Sequence, residues 1–352
     1  MKTVSTFISI LLLMNTFIFA QSITQRIDSA VNSFHEANPE VSISVGFLQN
    51  GEEFYTAYGH LSREDKTKIN KHTVFEIASI TKIMTGNLIA QAALEGRLKV
   101  DDYIDDYLPA AYQLDDNIQG KITIADLASH QSGLPDVDFS ALIEKDAQQP
   151  TAIVDEELLV SMINSCDTLK NYGSYRYSTV GYTLIGQILE KLYETTYAQL
   201  IREKITKPLN MTRTYTTEFD VDNVATGYNG EGGEQELFNW NIVGPAGLVK
   251  STTADMMKYM NALLGENSTL AKAALLTEIP YFKEENEAIG LGTKIIRDSG
   301  NTVYLKSGDS MGQSSMLCYN RAANWGILIF INQNNSKMRN DMLNTLYESI
   351  LK

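Results

Sequence analysis

"FEIASITKIMTG", Phe75 to Gly86, decides how the rest of the chain is read. From Ile77 to Leu94 the one charged residue is Lys82, set among Ile, Ala, Met and Leu in a stretch that otherwise reads as a buried helix. If that helix, predicted over Ser79–Glu95, begins at the serine, then Ser79 and Lys82 share a face and come within reach of each other. A buried, unpaired ammonium is costly, so Lys82 must be solvated, be paired, or be driven toward neutrality. A neutral amine beside a hydroxyl is a general base. The serine would also gain from the free N–H groups and positive dipole end of a helix start. The competing reading makes Ser79 an N-cap and lets Lys82 snorkel to solvent. The pair alone leaves both readings open.

Outward from this stretch, strand signals gather at the two ends of the chain. The segment "VSISVGFLQNGEEFYTAYG", Val41 to Gly59, reads as two strands around an Asn50-Gly51 turn, a strong hairpin signal. An amphipathic helix over Ile23–Ala37 precedes it. Strands return over Ala288–Arg297, Thr302–Lys306, Ser314–Tyr319 and Trp325–Ile331, and a helix from Ser336 closes the chain. Between lie predicted helices at Thr123–Ser129, Asp155–Asn164, Val180–Tyr197 and Thr253–Leu264. The fold expected is α/β of the α+β kind: an antiparallel sheet formed by both termini and flanked by helices, with a mostly helical lobe inserted. The sheet lobe would take residues 21–75 and 280–352, and the helical lobe residues 79–265. A site would lie where the two meet. Regular strand–helix alternation, the mark of a doubly wound fold, is missing.

With 352 residues, 43% of them hydrophobic and 20% charged, the chain can bury a substantial core. Lys2 followed by an uncharged, largely apolar run from Val4 to Ala20 reads as an export signal over residues 1–20, with Ala20 as the cleavage residue. The alternative for that run is an uncleaved anchor, and membrane contact is expected through this segment alone. Export to a periplasmic or extracellular location follows. Loss of Lys2 takes the net charge from −14 to −15. So acidic a body argues against nucleic-acid binding, which needs a basic face. Any anionic ligand would require a local cation. Cys166 and Cys318 are the two cysteines, and spacing does not decide whether they pair. The four histidines are scattered without metal-ligand spacing, so neither metal nor organic cofactor is expected. The oligomeric state is left open.

A second serine competes as nucleophile. "GDSMG", Gly308 to Gly312, matches the G-x-S-x-G elbow with Ser310 at its centre. That elbow needs a helix after it and a histidine later in the chain. Here "QSSMLCYN" reads as a strand and the last histidine is His130, so chain order defeats the match. His130 itself, in "LASHQSGLPD", is expected to cap or pack a turn.

Three stretches in order, "SITK", "RYSTVGYTLIGQ" around Tyr177, and "YLKSGDSMG" around Lys306-Ser307-Gly308, resemble the S-x-x-K, Y-x-N and K-T-G elements of the penicillin-recognising serine hydrolases. The nearest likeness is to class C β-lactamases and their esterase and D-peptidase relatives. It extends through "TVFEIASITK", "ADLASHQSGLPD" and "GPAGLVKSTTADMMKYM", nearly the whole mature chain. The resemblance implies that Ser79 is acylated by an ester, amide or lactam carbonyl while Lys82 and Tyr177 move protons. Tyr177 would be the base if neighbouring cations lower its pKa. Residue type alone does not separate Tyr177 from Tyr172, Tyr175 and Tyr182.

By the same resemblance, Lys306, Ser307 and Gly308 edge the cleft, with glycine admitting substrate close to the backbone. The N–H groups of Ser79 and Asp309 form the oxyanion hole. Lys306 and the Ser307 hydroxyl hold the anionic end of a small-molecule or peptide substrate. Thr179 stands where the family has asparagine, which implies altered handling of an acylamino group. No Glu-x-x-Leu-Asn element is found, since "ELFNW" at Glu236 lacks the spacing. Deacylation would then run through Tyr177 and Lys82 or through the substrate itself. Without it, the protein would be a β-lactam or peptidoglycan-fragment sensor that acylates once.

Overall fold

The computed structural model describes residues 23–217, 221–298 and 300–351. The expected export signal, residues 1–20, lies outside the described residues. Eight strands form one sheet whose spatial order interleaves the two ends of the chain: Glu52–Tyr58, Ile43–Gln49, Trp325–Ile331, Ser314–Asn320, Asn301–Asp309, Lys294–Asp298, Glu287–Ile289, Phe282–Lys283. Every neighbouring pair is antiparallel. The Asn50-Gly51 turn is built as expected: both residues have positive φ, 51° and 83°, and Gln49 pairs with Glu52 across them. Two positive φ values match the right-handed twist of the strands they join.

Both faces of the sheet are buried, and the strand sequences show it. Trp325–Ile331 is buried at all seven positions. Ile327, Ile329 and Ile331 join Ile43, Val45 and Phe47 and the terminal helices (residues 23–37 and Ser336–Leu351) in one core. Leu328 and Phe330, pointing the other way, enter the larger core built with the helical lobe. The Thr253–Leu264 helix lies so close on this second face that a Cβ at Gly326 would fall 1.9 Å from the Met260 sulfur. Its bounds, and those of Trp325–Ile331, match the sequence expectation. Among the described residues no helix is long and apolar enough to cross a membrane.

Three elements differ from expectation, each for a local reason. The strand predicted over Ala288–Arg297 breaks into Glu287–Ile289 and Lys294–Asp298. The interruption presses Gly292, at φ +84°, against the Lys82 carbonyl, where a Cβ would stand 2.4 Å away. The helix predicted over Val180–Tyr197 stops at Tyr193, because Glu194 turns left-handed and Thr196 caps a new helix, Tyr197–Ile201. The α-helix expected from Ser79 begins two residues later. Ala78–Ile80 is a 3-10 turn, and the α-helix proper is Thr81–Leu94.

Candidate active site

The turn that carries Ser79 is held under strain: Ala78 has φ +44°, a left-handed conformation costly for a residue with a Cβ. The site is therefore entered from a sharp turn, with the serine half-buried at its tip. Ser79 is no N-cap, since neither end of its turn carries a side-chain cap bond. Lys82 does not snorkel either. It is 1% exposed, with its Nζ 3.3 Å from Ser79 Oγ and donating to the Ala246 carbonyl at 2.9 Å. One turn along the same helix, Thr85 donates to the Pro245 carbonyl at 2.7 Å. These two contacts pin the helix to the Asn241–Ala246 turn, and so fix where the amine sits.

Burial, followed by the nearby Lys306 charge, holds the Lys82 amine well below the usual lysine range; Asp136 opposes this weakly. The result, beside a hydroxyl, is an amine that gives up its proton more readily than an ordinary lysine. Tyr177 comes to the same serine from just ahead of the Thr179–Tyr193 helix and donates to Ser79 Oγ at 2.8 Å. Lys82 and Lys306 lie over its ring at 4.9 and 4.5 Å, and Lys306 donates to its hydroxyl at 3.3 Å. The expectation that these cations lower the phenol pKa is not met. Although the residue is 44% exposed along the cleft, its hydroxyl end is enclosed by the site, and that desolvation raises the pKa above the ordinary tyrosine value; the Ser79 bond opposes it, while Tyr175, Asp309 and Asp136 add to it. Tyr177 is a neutral donor at rest, and Lys82 is the better base.

Sequence reasoning missed what sets Tyr177 in place. His130, 3% exposed and left-handed at φ 63°, packs against Tyr177 with ring centroids 4.5 Å apart and planes tilted by 36°. Its Nδ1 accepts the Ser178 N–H at 3.1 Å. Burial and the Lys306 and Lys82 charges keep His130 far below the usual histidine range, hence neutral. Asp136 accepts the N–H groups of Thr179 and Val180 at 2.6 and 3.1 Å, capping the Thr179–Tyr193 helix just after the tyrosine. Both residues come from the stretch "SHQSGLPD", where a histidine and an acid flanking a Gly-Leu-Pro turn were the signal. Of the competing tyrosines, Tyr182 is wholly buried and donates to the Ala128 carbonyl, while Tyr172 bonds Lys121 and Asp126. Tyr175 packs edge-on against His130. Thr179 is 6% exposed at the helix start and offers the cleft little surface.

Lys306, Ser307, Gly308 and Asp309 lie on the strand Asn301–Asp309. Pairing with the strand Lys294–Asp298 ends at Leu305↔Lys294, so among the described residues 306–309 keep an unpaired edge on that side, beside Ser79. The reason for glycine at 308 differs from expectation. A Cβ there would stand 2.2 Å from the Ile77 carbonyl and 2.9 Å from the Ser79 nitrogen. Glycine serves the close approach of the turn that carries Ser79, and thereby brings the Ser79 N–H beside the Gly308–Asp309 peptide. Ser315 fastens the same junction by donating to the Ile77 carbonyl at 2.8 Å. Burial pushes Lys306 down to about 7, against the opposing pull of Asp309.

The rejected elbow serine, Ser310, is 5% exposed. It donates at 2.6 Å to Glu76, a buried carboxylate that also accepts the Phe238 N–H at 2.8 Å. The Glu76 N–H in turn donates to Gln313 at 2.8 Å. Glu76 thus ties the strand Val74–Glu76, which leads to Ser79, to the turn that follows the strand Asn301–Asp309. Cys166 and Cys318 are both free. Glu236 is exposed and bonded by Gln149 at 3.2 Å.

The beta-lactamase family model matches residues 27–352. The chain is 28% identical over 291 residues to Beta-lactamase-like protein 2 of Dictyostelium discoideum, covering 77% of this chain and 52% of that protein. It is 22% identical over 345 residues to a beta-lactamase of Lysobacter lactamgenus, covering 87% and 86%. The chain thus spans about half the length of the first relative and most of the second. Among solved structures, a beta-lactamase/D-alanine carboxypeptidase from Pseudomonas syringae superposes with a TM-score of 0.81 at 19% identity, over 93% of this chain and 98% of the other. A class C beta-lactamase does so with 0.81 at 20%, over 93% and 96%. These superpositions establish the shared fold, with its large antiparallel sheet and flanking helices. The chain belongs to the beta-lactamase family of penicillin-recognising serine hydrolases.

Proposed function

We propose that the protein is an exported hydrolase that works through an acyl-enzyme on Ser79. The observation that carries this reading is the convergence on one hydroxyl of a desolvated amine and a neutral phenol, 3.3 and 2.8 Å away. The Ser79 proton passes to the Lys82 lone pair as Oγ attacks the carbonyl carbon of an ester, amide or lactam. Negative charge gathers on the carbonyl oxygen between the Ser79 and Asp309 N–H groups. A lost donor of this kind typically costs about 3 to 4 kcal/mol of transition-state stabilisation. As the tetrahedral adduct collapses, Tyr177 gives its proton to the leaving group and regains one from Lys82. Water then repeats the sequence in reverse roles and frees Ser79. Beta-lactamase and D-alanine carboxypeptidase, the activities named for the structural neighbours, and ester hydrolysis all fit this chemistry. The concealed Thr179 leaves no asparagine amide for an acylamino group, which favours simple esters or D-amino-acid derivatives over penicillins.

A panel of nitrocefin, p-nitrophenyl acetate and a D-Ala-D-Ala peptide, followed by absorbance and by intact mass, tests the reading. Released product with an unchanged protein mass is expected for at least one substrate. A lasting adduct without turnover would instead mark a sensor.

A further inference from the structure

The strand that completes the oxyanion site ends in a carboxylate with its own counter-ion. Asp309 Oδ1 accepts from Arg339 Nη1 and from Ser314 Oγ, each at 2.6 Å. The Arg339 side chain is 4% exposed and that of Asp309 is 36% exposed. Arg339 also reaches the Gly308 carbonyl at 3.4 Å, so the pair sits directly behind the peptide that borders Ser79. Ser307 and Asp309, two apart on a strand, share one face about 7 Å apart. A substrate carboxylate brought to the Ser307 hydroxyl therefore meets a carboxylate that already holds the arginine. Lys306, on the same strand, is turned to the Tyr177 hydroxyl and, with its pKa pushed down to about 7, carries only part of a charge near neutrality. The Asp309 charge reaches into the site, since it shifts both Lys306 and Tyr177 upward.

We propose that Asp309 makes this cleft select uncharged over carboxylate-bearing substrates, by holding Arg339 in an internal ion pair beside Ser307, where a substrate carboxylate would otherwise bind. The inference rests on the hydrolase reading and replaces its expectation of an anionic substrate end with a neutral ester or amide. One unit charge several ångströms away in a half-exposed site changes a rate constant on the order of tenfold.

The test compares a neutral phenyl ester with the same ester carrying a carboxylate, placed on the phenol in one pair and on the acyl chain in another. The ratio of kcat/KM within each pair is measured for the wild type, Asp309→Asn and Arg339→Gln. Asparagine keeps an acceptor for Arg339 and Ser314 while removing the charge. The wild type should favour the neutral ester on the order of tenfold in at least one pair. Asp309→Asn should bring that ratio toward unity or invert it, and Arg339→Gln, which leaves Asp309 uncompensated, should raise it. Opposite shifts are the signature, because general loosening of the site moves both variants the same way. An unchanged ratio in both variants, or shifts of one sign, overturns the proposal. A neutral fluorophosphonate is applied in parallel: Ser79 labelled with ratios unmoved sinks the selectivity alone, whereas no label and no cleavage sinks the hydrolase reading and this proposal together.

Discussion

Two serines in this chain carry nucleophile-like motifs, and the fold treats them oppositely. Ser310 sits in a G-x-S-x-G match yet is buried, donating to the Glu76 carboxylate and accepting the Gln313 N–H at 3.1 Å. Its hydroxyl is taken up by the Glu76 carboxyl, whose burial raises its pKa, and by the Gln313 N–H, with almost no surface left for a substrate. Ser79 sits in a motif that is common by itself, yet it stands at a strained turn with an amine and a phenol directed at it. The difference is one of surroundings: a hydroxyl can serve as a nucleophile where an amine held below its usual pKa stands beside it and the site is open, and is a strut where it is enclosed and its bonds are already made.

The largest effect that would sharpen this contrast comes from Lys82. Lys82→Met should lower kcat by about 10²- to 10⁴-fold, the usual worth of a positioned proton-transfer group. It should also raise the melting temperature, because a fully buried amine is replaced by an apolar side chain of similar length. A variant that lost activity and stability together would mean that the lysine is a structural ion rather than a base. Next in size is Ser310→Ala. It strips one donor from Glu76 and one acceptor from Gln313, and should cost about 1 to 3 kcal/mol in denaturant unfolding. Turnover should stay within a few-fold of wild type, and a collapse of kcat at intact stability would make Ser310 part of the chemistry.

The smallest effect is a pH dependence set by Lys306. Its pKa is about 7 in the folded chain against 10.5 as a free side chain. Between those values the unfolded chain binds a proton that the folded chain has released, so stability rises with pH through this window. Below about pH 7 both states are protonated and the burial penalty stands in full. Lys306→Met should flatten the rise in melting temperature from pH 7 to 10 and leave the protein more stable at pH 6. An unaltered slope would show that the amine is solvated after all.

How much of this was legible in the sequence follows from how local each feature is. The Asn50-Gly51 hairpin and the all-apolar strand Trp325–Ile331 announce themselves within a few residues, because turn dihedrals and burial on both faces restrict composition directly. The order of motifs around Ser79, Tyr177 and Lys306 was legible only through its resemblance to the S-x-x-K, Y-x-N and K-T-G elements of the penicillin-recognising serine hydrolases. What was not legible depends on residues far apart in the chain. The raised pKa of Tyr177 comes from enclosure among groups such as Lys82, His130 and Lys306, which no neighbour in sequence reports. The role of Gly308 is set by Ile77 and Ser79, more than two hundred residues earlier. Asp136 and Glu76 read as ordinary acids until the fold shows that one caps the tyrosine's helix and the other joins two strands of the site. The Ile-Gly-Leu-Gly run at 289–292 did carry a warning that the strand would break there, and the alternation around it concealed it.

The central claim, that Ser79 is the nucleophile because Lys82 is held short of a proton, is tested most directly by peptide mapping after reaction with a fluorophosphonate. A single adduct on the peptide containing Ser79 is expected, formed rapidly in the wild type, at least about a hundredfold more slowly in Lys82→Met, and not at all in Ser79→Ala. An adduct on the Ser310 peptide, or labelling of Ser79 at an equal rate with and without the lysine, would contradict the account.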